Sequence, residues 1–170
     1  MTFRTLTKHV LLVLLLLFSW GAQAGTADTC MRRGSVESLP GYQFIGEQAN
    51  DYAGYWVSSA GDVDGDGLAD TLIGAYDNSE GGQSAGAVYL ILGKNLGQFH
   101  KSDLSLADYK FIGEDSGDWA GIQASSAGDV DGDGLDDVLV GAYGEDTMGS
   151  KTGAAYVVLG KSLGSNKIVD

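Results

Sequence analysis

DVDGDGLAD, from Asp62 to Asp70, and DVDGDGLDD, from Asp129 to Asp137, are nearly the same nine-residue loop written twice. Carboxylates stand at positions one, three, five and nine, and glycines at four and six. A tight loop turns every second side chain inward, so Asp62, Asp64, Asp66 and Asp70 are expected to converge on one hard cation, and Asp129, Asp131, Asp133 and Asp137 on another. Leu68 and Leu135, at position seven, have no side-chain oxygen and are expected to offer backbone carbonyls, as position seven does in other calcium loops. Gly65, Gly67, Gly132 and Gly134 permit the positive φ needed where a chain wraps an ion. DG and GD steps also make ordinary metal-free turns. Four converging carboxylates without a cation would repel one another, however, so the pattern predicts two calcium ions per chain, each structural.

The loops are the centres of a larger repeat. Tyr42–Asp103 aligns without a gap on Tyr109–Asp170, and more than half of the aligned pairs are identical. The matched landmarks are FIGE (Phe44 to Glu47, Phe111 to Glu114), AG (Ala53-Gly54, Ala120-Gly121), SSAGDVDGDG, GAY (Gly74 to Tyr76, Gly141 to Tyr143) and the segments around Tyr89 and Tyr156 that end in LGK. This is an internal duplication. It divides the chain into residues 1–24, a linker over 25–41, a first repeat over 42–108 and a second over 109–170. Lying in different repeats, the two loops are expected to bind calcium independently.

The residues after each loop decide the type of site. An EF-hand needs a bidentate Glu at loop position twelve and an exiting helix. Position twelve here is Ile73 or Val140, inside the runs TLIGAY and VLVGAY, which are β-branched and broken by Gly and therefore read as strands. Each repeat is predicted to run as strand Gly54–Ser59, metal loop, strand Thr71–Ala75, polar loop, strand Gly86–Leu92, polar connection and strand Tyr109–Ile112. Four short antiparallel strands per repeat predict an all-β fold of β-propeller blades.

The coupling of DxDGDGxxD to a hydrophobic strand ending in Gly-Ala, and then to GAVYLILG or GAAYVVLG, resembles the FG-GAP repeat family. These repeats form the blades of the integrin alpha-chain N-terminal propeller and occur in many bacterial secreted proteins. The resemblance covers residues 42–170 and implies that the loop aspartates hold calcium in a hairpin between the first two strands of a blade. AG replaces FG at Ala53-Gly54 and Ala120-Gly121, and Tyr76 and Tyr143 stand where GAP has proline. Glycine and the metal loop, which carry the geometry, are retained.

Arg4 and Lys8 precede the apolar run Val10 to Phe18, and Ala22-Gln23-Ala24 supplies a small-x-small cleavage site, so residues 1–24 read as a secretory signal peptide. The run is too short to favour a transmembrane span, and none is expected in the mature chain. Export points to a secreted or cell-surface location, or to the periplasm. Millimolar extracellular calcium can fill weak sites there. Cys30 is the only cysteine, so no intrachain disulfide forms. Loss of Arg4 and Lys8 takes the 10 basic residues to 8 against 23 acidic ones, and the formal charge from −13 to −15. Such a charge excludes nucleic acid and disfavours an anionic membrane surface.

Propellers close with about 4 to 8 blades, so two repeats do not complete a ring. Either further blades, or a homo-oligomer that joins the strand Tyr42 to Ile45 of one copy to the edge Tyr156 to Leu159 of another, is expected to supply the missing strand. Tyr52, Tyr55 and Trp56 could form a ligand platform, but large aromatics fill interiors readily, and packing between blades is the expectation. Ser58-Ser59 and Ser125-Ser126 have no base beside them and read as small residues near a crowded axis. The chain has no GxSxG, HExxH, CxxC or P-loop and is expected not to be an enzyme. The sequence thus predicts a calcium-binding propeller module for adhesion, or for a protein or carbohydrate ligand at the cell surface. The alternative is the non-catalytic propeller part of a larger secreted hydrolase or multi-blade surface protein.

Overall fold

The computed structural model describes residues 41–98, 101–164 and 168–169, so residues 1–24, read above as a signal peptide, the linker before Gly41 and Cys30 lie outside the described residues. The strands are β1 (Gln43–Ile45), β2 (Trp56–Gly61), β3 (Asp70–Ala75), β4 (Ala87–Ile91), β5 (Lys101–Asp103), β6 (Tyr109–Ile112), β7 (Ala120–Gly128), β8 (Asp137–Ala142), β9 (Ala154–Val158) and β10 (Ile168–Val169). Short 3-10 turns at Gly93–Gln98, Leu104–Leu106 and Gly160–Ser162 link them. The architecture is all-β, as expected.

In the first blade β2, β3, β4 and β6 pair antiparallel in that order, the fourth strand coming from the start of the second repeat. The second places β7, β8 and β9 in the same antiparallel meander. Because side chains alternate across a strand, Leu72, Val88 and Leu90 face one side of the first blade while Ile73, Tyr89 and Ile91 face the other. Both sides are buried, which is why these strands read as unbroken apolar runs rather than alternating ones. One core joins Leu72, Val88, Leu90 and Phe111 of the first blade to Ala124, Val138 and Val140 of the second. The other packs Ile73, Tyr89 and Ile91 against Leu104 and Ala107, with Phe44 alongside.

Two features differ from the expectation. The innermost strand begins at Trp56 rather than Gly54, because Tyr52–Tyr55 close a turn (Tyr55 N–H to Tyr52 O, 3.0 Å), and it runs on to Gly61 through a bulge after Ser59. The polar connection Lys101–Asp103 is itself a strand, paired in parallel with β1. Ile168–Val169 pairs in parallel with β6 at the repeat-equivalent register, Ile168 to Lys110 as Lys101 to Gln43. Three polar residues carry no apolar alternation, so nothing in their own pattern marks Lys101–Asp103 as a strand.

The blades meet through small residues and directed bonds near the innermost strands. Gly86 bridges Ala120. Trp56 Nε1 and Ser58 Oγ both donate to Ala124 O, at 2.7 and 2.6 Å. Trp56 therefore acts between blades, as expected, and Ser58 does so beside it, whereas Ser59 donates within its own blade, to Asp70 O. The far side of the second blade has no such neighbour among the described residues: Leu139 and Val157 are 37% and 50% exposed, whereas their repeat equivalents Leu72 and Leu90 are fully buried.

Candidate metal centre

Each acidic loop is the hairpin between the two innermost strands of its blade, and backbone amides hold its carboxylates. Asp62 Oδ1 accepts from Gly65 and Asp66 (2.8 and 3.0 Å), and Oδ2 from Gly67 (2.9 Å). Asp64 Oδ1 accepts from Asp66 (3.2 Å) and Asp66 Oδ1 from Leu68 (2.8 Å). Asp129, Asp131 and Asp133 repeat these bonds onto Gly132, Asp133, Gly134 and Leu135. Gly65, Gly67, Gly132 and Gly134 have φ of 75°, 84°, 79° and 92°, the left-handed backbone that turns these amides inward.

The result is two carboxylate groups that could hold a metal ion. Asp62, Asp64 and Asp66 form one, and Asp129, Asp131 and Asp137 the other, with one oxygen of each residue within 4.8 Å of the others. The remaining positions are placed differently. Asp133 is turned towards Lys161, 3.8 Å away. Asp70 is buried, with Oδ2 accepting from Val63 (2.9 Å) and Oδ1 from Gly93 (2.7 Å), so it staples the loop to the turn after β4. Asp137 makes the same two bonds, from Val130 (2.8 Å) and Gly160 (2.9 Å). Burial pushes the Asp70 carboxyl up, against the pull of its two amide bonds and with the charges of Asp64 and Asp66 adding to the rise. Leu68 lies on the loop surface with its side chain half exposed, and Leu135 is half-buried.

Sequence reasoning missed a lysine at each site. Lys94 and Lys161, of the two LGK segments, bond through Nζ to Asp64 Oδ2 and Asp131 Oδ2. The bond from Lys161 holds the Asp131 carboxyl below its usual range, and the bonds to Asp64 and Asp131 raise both lysines. The signal was present in the repeat, since both lysines come directly after the same glycine. Only folding shows that the turn after β4 or β9 lies over the loop.

The aromatic cluster divides. Trp56 works between blades, but Tyr52 and Tyr55 are 55% and 60% exposed, which corrects the expectation that they pack there. Tyr52 stacks on Tyr76 at a ring separation of 5.5 Å, and Tyr55 meets the same ring edge-on at 4.7 Å. In the second repeat Trp119 stacks on Tyr143 at 5.9 Å, and Lys151 Nζ lies 5.4 Å from the Trp119 ring centre. Tyr52 and Trp119 are repeat equivalents, and both hold a left-handed backbone, with φ of 53° and 55°. For bulky residues that conformation costs about 1–3 kcal/mol each. These stacks sit at the strand ends opposite the metal loops. From beneath, Lys110 of β6 braces two of the rim loops through Glu47 (2.7 Å) and Glu80. Burial works to lower the Lys110 pKa, but its bonds to Glu47 and Glu80 outweigh this and hold it above the ordinary lysine value.

The two loops also touch. Asp62 N–H donates to Asp136 Oδ2 at 2.8 Å, and Asp136 N–H donates to Asp62 O at 3.0 Å. They are therefore one connected structure, not the separate units that their places in different repeats suggested.

Antiparallel blades, with four strands in the first and three in the second among the described residues, each with an acidic loop in the innermost hairpin, define a β-propeller repeat protein. The FG-GAP repeat matches residues 53–91 and 121–158, and the chain belongs to this repeat family. It is 35% identical over 122 residues to integrin alpha-PS5 of Drosophila melanogaster, covering 71% of this chain and 11% of that protein. Integrin alpha-5 of Xenopus laevis is 36% identical over 129 residues (72% of this chain, 11% of that protein). Integrin alpha-V of Gallus gallus is 32% identical over 133 residues (75% and 12%). The chain spans about a tenth of the length of these relatives.

Proposed function

We propose that this chain is a calcium-stabilised propeller module that acts outside the cell in adhesion or ligand binding. Each loop takes one calcium ion, held by Asp62, Asp64, Asp66 and the Leu68 carbonyl in the first, and by Asp129, Asp131, Asp133, Asp137 and the Leu135 carbonyl in the second. Asp70 contributes chiefly as the staple of its loop. The observation that carries this reading is the convergence of three carboxylates in each loop on a scaffold of backbone amides. Hard oxygen ligands in a flexible loop suit calcium better than softer metals. The ion would tie both ends of the hairpin together and neutralise a cluster of like charges.

The ligand side is the opposite rim. Tyr52, Tyr55 and Tyr143 are exposed there and Tyr52 and Trp119 are strained, so the clusters offer flat faces to a protein or carbohydrate. The integrin alpha relatives support an adhesive role, and a leader over residues 1–24 would deliver the chain to the cell surface. The exposed Leu139 and Val157 favour a further blade against the second one, from a longer parent protein or from another copy.

Calorimetric titration of chelator-treated protein tests the reading. Two calcium ions per chain and a rise in melting temperature are expected. Absence of both at millimolar calcium refutes it.

A further inference from the structure

Asp136 is the residue at which the two repeats stop matching in their loops, since its equivalent in the first loop is Ala69. It holds both backbone polar groups of Asp62, accepting the N–H at 2.8 Å and donating to the carbonyl at 3.0 Å. The fit is close: a Cβ on Gly61, whose φ is 79°, would lie 2.0 Å from the Asp136 carboxylate. Gly160 closes the junction, because a Cβ there would lie 2.6 Å from Asp136 O and 2.9 Å from Val63 O. Asp62 is position one of the first loop, and its carboxylate receives three loop amides. Asp136 stands between Leu135 and Asp137, two residues assigned to the second site.

We propose that Asp136 is a positioning residue for the first calcium site, supplied by the next blade, and that it couples the two sites. The inference rests on the calcium reading of the loops. An ion in the second loop draws in Leu135 and Asp137, which orders Asp136. Asp136 in turn fixes the backbone from which the Asp62 carboxylate projects. Coupling of this kind is reciprocal, so each ion tightens the other. Charge works the opposite way, since filling one acidic loop weakens the field that attracts the second ion. At physiological salt the Debye length is about 8 Å, which trims that opposing effect.

Calcium titrations of the full chain in physiological salt test this. The product of the two wild-type binding constants, divided by the product of the single-site constants from Asp64→Ala and Asp131→Ala, gives the coupling factor. It is expected to reach about fivefold or more, the lower end of measured couplings. Repeating the cycle with Asp136→Ala should bring it to one or below. Asp136→Asn keeps an oxygen acceptor for Asp62 N–H and should retain most of the coupling. A wild-type factor near one, or a factor that Asp136→Ala leaves unchanged, overturns the proposal. Wild-type protein that binds no calcium overturns the underlying site reading instead.

Discussion

Asp70→Asn separates the two duties of the loop carboxylates, holding the fold and holding the ion. Asp70 is 1% exposed, and each of its oxygens accepts one backbone amide, from Val63 at 2.9 Å and from Gly93 at 2.7 Å. Asparagine keeps one acceptor, so whichever way it turns, its NH2 faces a backbone N–H. The loss is one hydrogen bond to a charged group, about 1.5–3 kcal/mol, together with a buried unpaired donor at about 1–3 kcal/mol. Removing a carboxylate buried near Asp64 and Asp66 offsets part of this, since burial and those charges already push the Asp70 carboxyl up. The net is a destabilisation of about 2–3 kcal/mol, present in chelator as well as in calcium. Asp64→Asn is the control. Asp64 makes one long amide bond, 3.2 Å, and a contact with Lys94, so in chelator its change should stay within about 0.5 kcal/mol. Urea unfolding in chelator, monitored by tryptophan fluorescence with the slope checked for constancy, measures both. If Asp70→Asn shifts the midpoint no more than Asp64→Asn, the staple is not what holds the loop to the turn.

Lys94→Gln should tighten calcium binding at the first loop and Lys161→Gln at the second, because each removes a cation that competes for a proposed ligand oxygen; titration that finds either variant weaker refutes this. Gly86→Ala places a Cβ 2.2 Å from Ala120 O and 2.5 Å from Ala120 N, at a φ of 89°. Backbone of the neighbouring blade cannot yield as a side chain does, so the melting temperature should fall by more than the left-handed conformation alone explains, about 1–2 kcal/mol.

The blade strands were legible because their signals are local. Apolar, β-branched runs ending at glycine mark β3, β4 and β8, and the DxDGDGxxD spacing marks the hairpins. The parallel pairs β1 with β5 and β10 with β6 were not, since β5 is three polar residues and β10 only two residues long, too little for either to carry a strand pattern of its own. The aromatic rim was half legible. Tyr52, Tyr55 and Trp56 stand almost together in the chain, but the turn at Tyr52–Tyr55 sends the first two to solvent and the third to the next blade.

The blade itself is written in the chain, because periodicity, glycines and acidic spacing act within one repeat and need no neighbour to take effect. A residue's place in the array is set by packing between blades instead. Leu72 and Leu139 are the same residue at the same place in the repeat, yet one is fully buried and the other 37% exposed. Asp136 and Ala69 differ by a substitution that looks incidental in the alignment, yet Asp136 joins the two loops. Burial and hydrogen bonding across blades depend on which surface a residue meets, and the repeat pattern is the same whether or not another blade lies beside it.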